Sequence, residues 1–308
     1  MKKMARVELS VNQSDGFTLL EMVLVLFLMG LVASAGLMLT ENVEDQEKYD
    51  ETKRRMAMMR QAIIGNPART INGHPDISGF VADMGRLPGC VKELLQDEDC
   101  DGNTISGWLQ DASTGVWSGW RGPYIHVIPE SNGKRYFRDG YGNSDASDAL
   151  NSGWDYQVSG AVEVMLTSKG ADGVSSADDI TDDQLITAND WRINTIQIRF
   201  VNNSSTALPA SAQTVELRVV WSDKDFYKTS SSYNMTAGVI PAGSSVIVPF
   251  SFSASEAVPM GEQGYLLVCS NNNKLFDGTC TQNINYLDDV RHFTVAPRST
   301  PVLDWIIP

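Results

Sequence analysis

The stretch that decides the fold is Gly16-Phe17-Thr18-Leu19-Leu20-Glu21-Met22, together with the apolar run that continues from it to Leu39. Residues 1–16 are largely polar, whereas residues 19–39 are apolar apart from Glu21, Ser34 and the glycines. About 20 apolar residues, at about 1.5 Å rise each, are enough for a helix to span a bilayer. The sequence therefore predicts a membrane-spanning helix near its N-terminus.

The residues that flank the apolar run predict its orientation. Basic residues precede it, at Lys2, Lys3 and Arg6, and an acidic run follows it, at Glu41, Glu44, Asp45 and Glu47. Basic flanks stay on the cytoplasmic side, so we expect the bulk of the chain on the other side of the membrane. Glu21 stands out, because a carboxylate near the start of a membrane helix is costly and usually has a partner.

Two other interpretations of this region stay open. The first is a secretory signal peptide cleaved at Ala33-Ser34-Ala35, which would leave a soluble protein that starts at Gly36. The second is a plain single-span anchor in which Glu21 has no function. A charge inside the apolar run argues against the signal peptide.

The helix should continue well beyond the apolar run. No proline interrupts residues 17–66, and Gly65-Asn66-Pro67 is a typical helix end. An apolar stripe suited to packing on a sheet follows three- and four-residue steps, at Tyr49, Thr52, Met56, Met59 and Ile63.

Composition excludes some function classes. The formal net charge is −14, which argues against nucleic-acid binding because phosphate contacts need clustered Lys and Arg. His74, His126 and His292 are scattered, and no nucleophile elbow, zinc-protease or phosphate-loop motif occurs. We therefore expect a protein that is not an enzyme.

The four cysteines form two close pairs in sequence. Bridges Cys90–Cys100 and Cys269–Cys280 are the simplest of the three possible connectivities in an oxidising compartment. The alternative is four free thiols in a cytosolic protein.

From about Arg192 the pattern changes to short segments separated by Gly, Asn, Ser and Pro. Five of them are typical of strands: residues 195–200, 214–221, 245–252, 264–269 and 290–295. They predict a small antiparallel β-sandwich. Pro249 within its segment indicates an edge strand or a bulge.

The junction at residues 16–22 closely resembles the signature of type IV pilins and pseudopilins. The resemblance implies that prepilin peptidase cuts after Gly16 and that Phe17 becomes the methylated N-terminus. It also implies that Glu21 pairs with a terminal amine during filament assembly. A buried carboxylate and a buried ammonium are each costly alone and tolerable together.

A second set of motifs looks like the major pseudopilin of type II secretion systems. The segments follow one another in the family's order: 85–88, 120–125, 139–143, 154–156 and 168–173. In that family the last loop binds calcium. The resemblance therefore implies calcium ligands at Asp172, Asp178 and Asp179, whereas the alternative is a solvated acidic turn.

A second acidic segment, residues 97–103, matches the first half of an EF-hand loop. Asp97, Asp99 and Asp101 alternate and Gly102 follows, but Trp108 stands where the bidentate acid is expected. Calcium here is the weaker of the two expectations, beside an exposed acidic turn.

Together the residues and the resemblance predict an α+β protein, with a pilin-like long N-terminal helix packed on a small antiparallel sheet and then a C-terminal β-sandwich. The expected parts are a leader (1–16), the transmembrane half of the helix (17–40), a periplasmic pilin-like domain (41–191) and the β domain (192–308). The resemblance implies a location in the bacterial inner membrane and, after assembly, in a filament.

The expected function is that of a structural subunit in a type II secretion pseudopilus or a type IV pilus-like filament. The partners would be other pilin-like subunits, prepilin peptidase, and an inner-membrane assembly platform with its ATPase. The alternative is an anchored adhesin or substrate-binding minor pilin that acts through residues 192–308. Pseudopilus or pilus, and major or minor subunit, stay open at this point.

Overall fold

The computed structural model describes residues 18–66, 69–71, 74–75, 77–176, 179–220 and 227–308. The chain divides into two compact units, one ending at Lys48 and the other spanning Tyr49–Pro308. The architecture is α+β, with an N-terminal helix and mostly antiparallel sheets in the C-terminal part, which confirms the predicted class. The predicted leader, residues 1–16, lies outside the described residues.

The helices are one long element and several short ones: α1 (Leu19–Ile64), α2 (Phe80–Met84), a 3-10 helix (Val91–Leu94), α3 (Asp148–Asn151), α4 (Ala188–Trp191) and α5 (Tyr286–Asp289). The strands of the first half are β1 (Thr70–Ile71), β2 (His74–Pro75), β3 (Leu109–Gln110), β4 (Trp117–Ser118), β5 (Asp155–Ser159), β6 (Glu163–Ser168) and β7 (Ile180–Ile186). Those of the second half are β8 (Arg192–Ile193), β9 (Thr195–Asn202), β10 (Gln213–Val220), β11 (Tyr227–Thr229), β12 (Tyr233–Met235), β13 (Ser245–Ser251), β14 (Val258–Pro259), β15 (Gly261–Cys269), β16 (Lys274–Leu275), β17 (Arg291–Val295) and β18 (Val302–Ile307).

The end of α1 is determined by a glycine. Gly65 has a φ of +69°, and its N–H donates to the carbonyl of Gln61 at 2.8 Å. A Cβ at this position would lie 2.1 Å from the carbonyl oxygen of Ser78. Only glycine fits such a left-handed, closely packed helix end, and α1 ends where the sequence predicts.

The first core of the larger unit combines the last turns of α1 with the antiparallel sheet β5-β6-β7. Met56, Met59 and Ile63 are buried in it, as their helical spacing predicts. Tyr49 was expected in the same stripe, but it is 40% exposed. The buried stripe starts one turn later, at Thr52, whose hydroxyl accepts a hydrogen bond from the N–H of Gly140.

The second core lies between two sheets of the C-terminal part. One has six strands, in the path β11-β10-β15-β16 with β12 paired to β10 and β17 to β15; the other has the order β13-β9-β18. All of these pairs are antiparallel except β18 with β9, which is parallel and departs from the predicted all-antiparallel sandwich. Pro249 lies in β13, an edge strand, as expected for a residue without a backbone donor.

The two cores of the larger unit are joined by direct contacts. Met260, which follows β14, is fully buried in the first core, and its N–H donates to the carbonyl of Trp191 at 2.7 Å. At the next residue, Gly261, a Cβ would lie 2.5 Å from the carbonyl oxygen of Ala82. Residues beyond 192 therefore complete the packing of the part that precedes them.

Candidate functional site

The first turn of α1 holds Glu21 in a capping arrangement. The hydroxyl of Thr18 accepts a hydrogen bond from the N–H of Glu21 at 3.2 Å, and the carbonyl of Thr18 accepts one from Met22 at 3.1 Å. A threonine cap followed three residues later by glutamate has the spacing of a capping box, and a helix N-terminus favours a carboxylate. Glu21 is exposed there. The predicted processing residues, Gly16 and Phe17, lie outside the described residues.

Exposed apolar side chains extend from this turn along α1. Their exposed fractions range from 37% at Val25 to 84% at Leu19. The set is Leu19, Leu20, Met22, Val23, Leu24, Val25, Leu26, Phe27, Leu28, Met29, Leu31 and Val32. An apolar surface this continuous marks a site of association with other apolar surfaces. Within the part of the chain that the structure describes, no helix is long and apolar enough to cross a membrane.

The predicted calcium loop follows β6 and brings two of its three acids together. Asp172 accepts hydrogen bonds from the N–H of Val174 (2.9 Å) and the hydroxyl of Ser176 (3.2 Å). Asp179 accepts one from the N–H of Ser176 at 3.2 Å. Both carboxylates thus approach Ser176 from opposite ends of the loop, an oxygen-rich arrangement of the kind that calcium prefers. The third predicted ligand, Asp178, lies outside the described residues.

The start of this loop is held by residues from the segment 139–145. Asp139 is buried and accepts hydrogen bonds from the Asn143 backbone and side chain and from the hydroxyl of Ser168. The Asn143 amide also donates to the carbonyl of Gly170 at 2.9 Å, and Lys169 forms an ion pair with Asp145. This segment is one of the motifs that resemble the pseudopilin family, but its contact with the loop is not evident from the sequence. The Asp-x-x-x-Asn spacing of residues 139–143 is typical of a turn stabilised by its side chains, and it is the sequence signal that could have indicated this arrangement.

The second acidic segment folds around one of its acids. Asp99 accepts hydrogen bonds from the backbone of Asp101 (2.9 Å) and from the backbone and side chain of Asn103 (2.8 and 3.0 Å). These bonds, the Asn103 side chain first, hold the pKa of Asp99 below its usual range. Among the described residues, Asp97, Asp99 and Asp101 do not form a group of three converging ligands. Calcium at this segment stays a prediction.

The one such group within the described ranges is Cys90, Glu93 and Cys100. Its two sulfurs form a disulfide, so the thiolates that a metal would need are not present. The second bridge joins Cys269 to Cys280, and the two pairs are those that the sequence favours.

The motif at residues 120–125 has a structural role. The indole N–H of Trp120 donates to the carbonyl of Glu93 at 2.7 Å, and the Tyr124 hydroxyl donates to Asp83 at 2.9 Å. Arg121 also pairs with Asp83, at 2.8 Å. Burial raises the pKa of Asp83, and the Arg121 charge opposes that rise.

Comparison with known proteins bears on the first turn of α1. Residues 12–37 match the family model described as the prokaryotic N-terminal methylation motif. This motif is the signal of type IV pilins and pseudopilins, so it indicates a type IV pilin-like precursor that prepilin peptidase processes and that is anchored in a membrane. The matched segment contains Gly16, Phe17 and Glu21 and leaves residues 38–308 outside it. Neither the curated proteins nor the solved structures contain a match to the chain.

Proposed function

We propose that the chain is a structural subunit of a type II secretion pseudopilus or a type IV pilus-like filament, assembled through its N-terminal helix. The observation that carries this proposal is the methylation motif at residues 12–37. Glu21 belongs to the matched segment and lies in the first turn of α1. The exposed apolar surface that follows Glu21 supports it, because parallel helices packed through such surfaces would form a filament core.

The mechanism has two steps. Prepilin peptidase removes residues 1–16 at the cytoplasmic face of the inner membrane, and Phe17 becomes the N-methylated end. Its amine then pairs with Glu21 of a neighbouring subunit while the apolar helices bundle. An ion pair in an apolar setting is costly if either partner is missing, so this contact selects subunits in the correct axial position. Energy comes from the ATPase of an inner-membrane assembly platform, and the chain itself is not an enzyme.

Residues 41–191 form the pilin-like domain in this proposal. The last turns of α1 share a core with the antiparallel sheet β5-β6-β7, the arrangement expected of a helix packed on a small sheet. The rival function is that of an anchored adhesin or substrate-binding minor pilin whose active part is residues 192–308.

Intact mass and N-terminal sequence of the chain purified from a bacterial membrane fraction test processing. We expect a chain that begins with a methylated Phe17. A chain that begins at Gly36 would show signal-peptide cleavage and would overturn the proposal. A chain that retains Met1 would also overturn it, since no prepilin peptidase would have acted.

Substitution of Glu21 tests assembly separately from folding. We expect Glu21→Ala to abolish incorporation into sheared filaments while the protein keeps its melting temperature. The matched control is Glu47→Ala, which removes an exposed carboxylate from the same helix outside the apolar run and should leave incorporation unchanged. Normal incorporation of Glu21→Ala, with surface binding lost only when residues beyond 192 are altered, would favour the adhesin.

We also propose that Asp172, Asp178 and Asp179 bind calcium and stabilise the loop between β6 and β7. The convergence of Asp172 and Asp179 on Ser176 supports this. Calcium that binds only the folded chain raises its melting temperature. We expect Asp172→Asn to abolish that rise and Asp101→Asn, in the second acidic segment, to leave it intact. If Asp101→Asn abolished the rise and Asp172→Asn kept it, calcium would bind at residues 97–101 instead. If calcium did not raise the melting temperature of the unaltered chain, both sites would be refuted.

A further inference from the structure

A polar cavity of about 430 Å³ lies in the larger unit, between α4, the start of β9 and the segment that joins β17 to β18. Two arginines, Arg192 and Arg298, line it together with amide and hydroxyl side chains. These include Asn189, Asn194 and Thr300. Among the residues that the structure describes, no aspartate or glutamate lines the cavity.

Arg192 is the unusual member of this lining. Its Nε is buried and donates to no acceptor among the described residues. Its guanidinium lies 4.7 Å from the centre of the Trp191 ring, which stacks on it without neutralising its charge. Burial lowers the pKa of Arg192, and among the residues that the structure describes no carboxylate opposes that effect. A charged donor left in this state is costly unless an acceptor reaches it.

Among the described residues, the charged side chains around the cavity carry a positive excess. Arg60 and Arg298 both contact the same oxygen of Asp190, at 3.2 and 2.7 Å. The other oxygen of Asp190 accepts hydrogen bonds from the backbone and hydroxyl of Thr187. One buried carboxylate therefore serves two arginines, and Arg192, which lines the same cavity as Arg298, adds a further guanidinium. On a chain whose net charge is −14, such a local excess favours an anionic ligand.

A further cation lies near Arg192. Burial lowers the pKa of Lys228, the Glu256 charge opposes this, and the charge on Arg192 lowers it further. The Lys228 ammonium donates to the carbonyl of Ser255 at 2.8 Å. The negative charge of Glu256 can balance the positive charge of Lys228, but Glu256 does not accept a hydrogen bond from the buried Nε of Arg192.

We propose that this cavity binds a small polyhydroxylated anion, the chemistry of an acidic sugar unit. Its carboxylate or phosphate contacts Arg192 and Arg298, because the planar guanidinium fork matches both oxyanions. Its hydroxyl groups contact Asn189, Asn194 and Thr300, which also line the cavity. The volume lies within the usual range for small-molecule sites, roughly 300–1,000 Å³, and the polar lining disfavours an apolar ligand.

Calorimetric titration of the full chain with glucuronate, glucose 6-phosphate and glucose tests the proposal. We expect one or both anions to bind with a Kd of about 1 mM or below, and glucose to bind at least about tenfold more weakly. The anion that binds better identifies the oxyanion. Equal affinity for glucose, or no binding of either anion at millimolar concentrations, would overturn the proposal.

Two arginines with the same exposure provide the matched variants. Arg298 and Arg54 are each 71% exposed and each paired with a carboxylate, Asp190 and Glu51 respectively. We expect Arg298→Ala to weaken anion binding about tenfold and Arg54→Ala to leave it unchanged. If both variants lost the same affinity for the anion, the attraction would be non-specific and the proposed site would be refuted. Arg192→Lys, which keeps the charge but loses the fork, should weaken binding as well.

Discussion

Replacing Asp190 tests how the larger unit is held together. Asp190 is buried at the end of α4, where its carboxylate contacts Arg60 on α1 and Arg298 on the segment before β18. The same carboxylate accepts the N–H and hydroxyl of Thr187 at 2.9 Å each, which completes a capping box. One side chain therefore connects three segments that are distant in sequence.

The expected cost of Asp190→Ala follows from these contacts. Loss of a helix cap costs about 1 kcal/mol. Each ion pair contributes only about 0.2–1 kcal/mol, because Arg60 is 37% and Arg298 is 71% exposed. We expect a total loss of about 2 kcal/mol in the free energy of unfolding, or about 5 °C in melting temperature for a domain of this size. Asp190→Asn, which keeps an oxygen for Thr187, should cost about half as much.

Thermal and urea denaturation of the purified chain would measure the loss. The control is Asp304→Ala, which removes a carboxylate from the exposed ion pair with Arg199 and should cost less than about 0.5 kcal/mol. Arg60→Ala and Arg298→Ala, combined with Asp190→Ala, would give the coupling energies. If Asp190→Ala costs no more than Asp304→Ala, the three-way contact does not stabilise the unit and the reasoning fails.

The same contacts predict a pH dependence. Burial alone would raise the pKa of Asp190, but the Thr187 donors and the two guanidinium groups hold that pKa below its ordinary value. A depressed pKa stabilises the fold above the unfolded value, about pH 4, and the effect disappears as pH falls through the folded value. The difference in stability between the unaltered chain and Asp190→Asn should therefore shrink in acid. A difference that grows in acid would contradict this assignment.

Two further predictions concern the cores. Met59→Ala should lower the free energy of unfolding by about 3 kcal/mol because Met59 is fully buried. Met58→Ala is the control and should lower it little, because Met58 is 43% exposed. Equal losses of stability in denaturation would contradict the packing of α1 in the first core. Replacing Cys269 and Cys280 together by serine should lower the free energy of unfolding by about 3 kcal/mol. In the unaltered chain, a melting temperature that is the same with and without reductant would contradict the presence of the bridges.

Local patterns were enough to predict much of the fold. The strands β9, β10, β13, β15 and β17 each correspond to a predicted segment, because alternation and turn residues are local signals. The end of α1 at Gly65 is equally local. Strand β18 was missed, since its parallel pairing with β9 joins residues about a hundred positions apart. Strand β7 was missed because Asp182, Asp183 and Gln184 interrupt its alternation.

The candidate sites divide in the same way. Thr18 and Glu21 could be predicted, since a cap and its partner lie three residues apart. The environment of Arg192 could not, because Arg298, which lines the same cavity, is distant from it in sequence and reaches it only through tertiary packing. The connection of Asp139 and Asn143 with the loop at Gly170 is of the same kind. Spacing in sequence reveals a site only when its residues share one turn or one loop.

The junction between the two cores bears on what residues beyond 192 can do. A freely hinged binding head would share few buried contacts with the body that carries it. Here Met260 is fully buried in the first core, and Gly261 has a φ of +122° against the Ala82 carbonyl, where no side chain would fit. Arg298 adds its contact with Asp190.

Deleting residues 192–308 would therefore expose the first core as well, and loss of assembly in that deletion would not separate a structural role from a binding role. Because residues 187 and 189 and residues 298–300 line the cavity at Arg192 together, a ligand bound there would stabilise both parts. Point variants such as Glu21→Ala and Arg298→Ala are thus the ones that distinguish assembly from ligand binding.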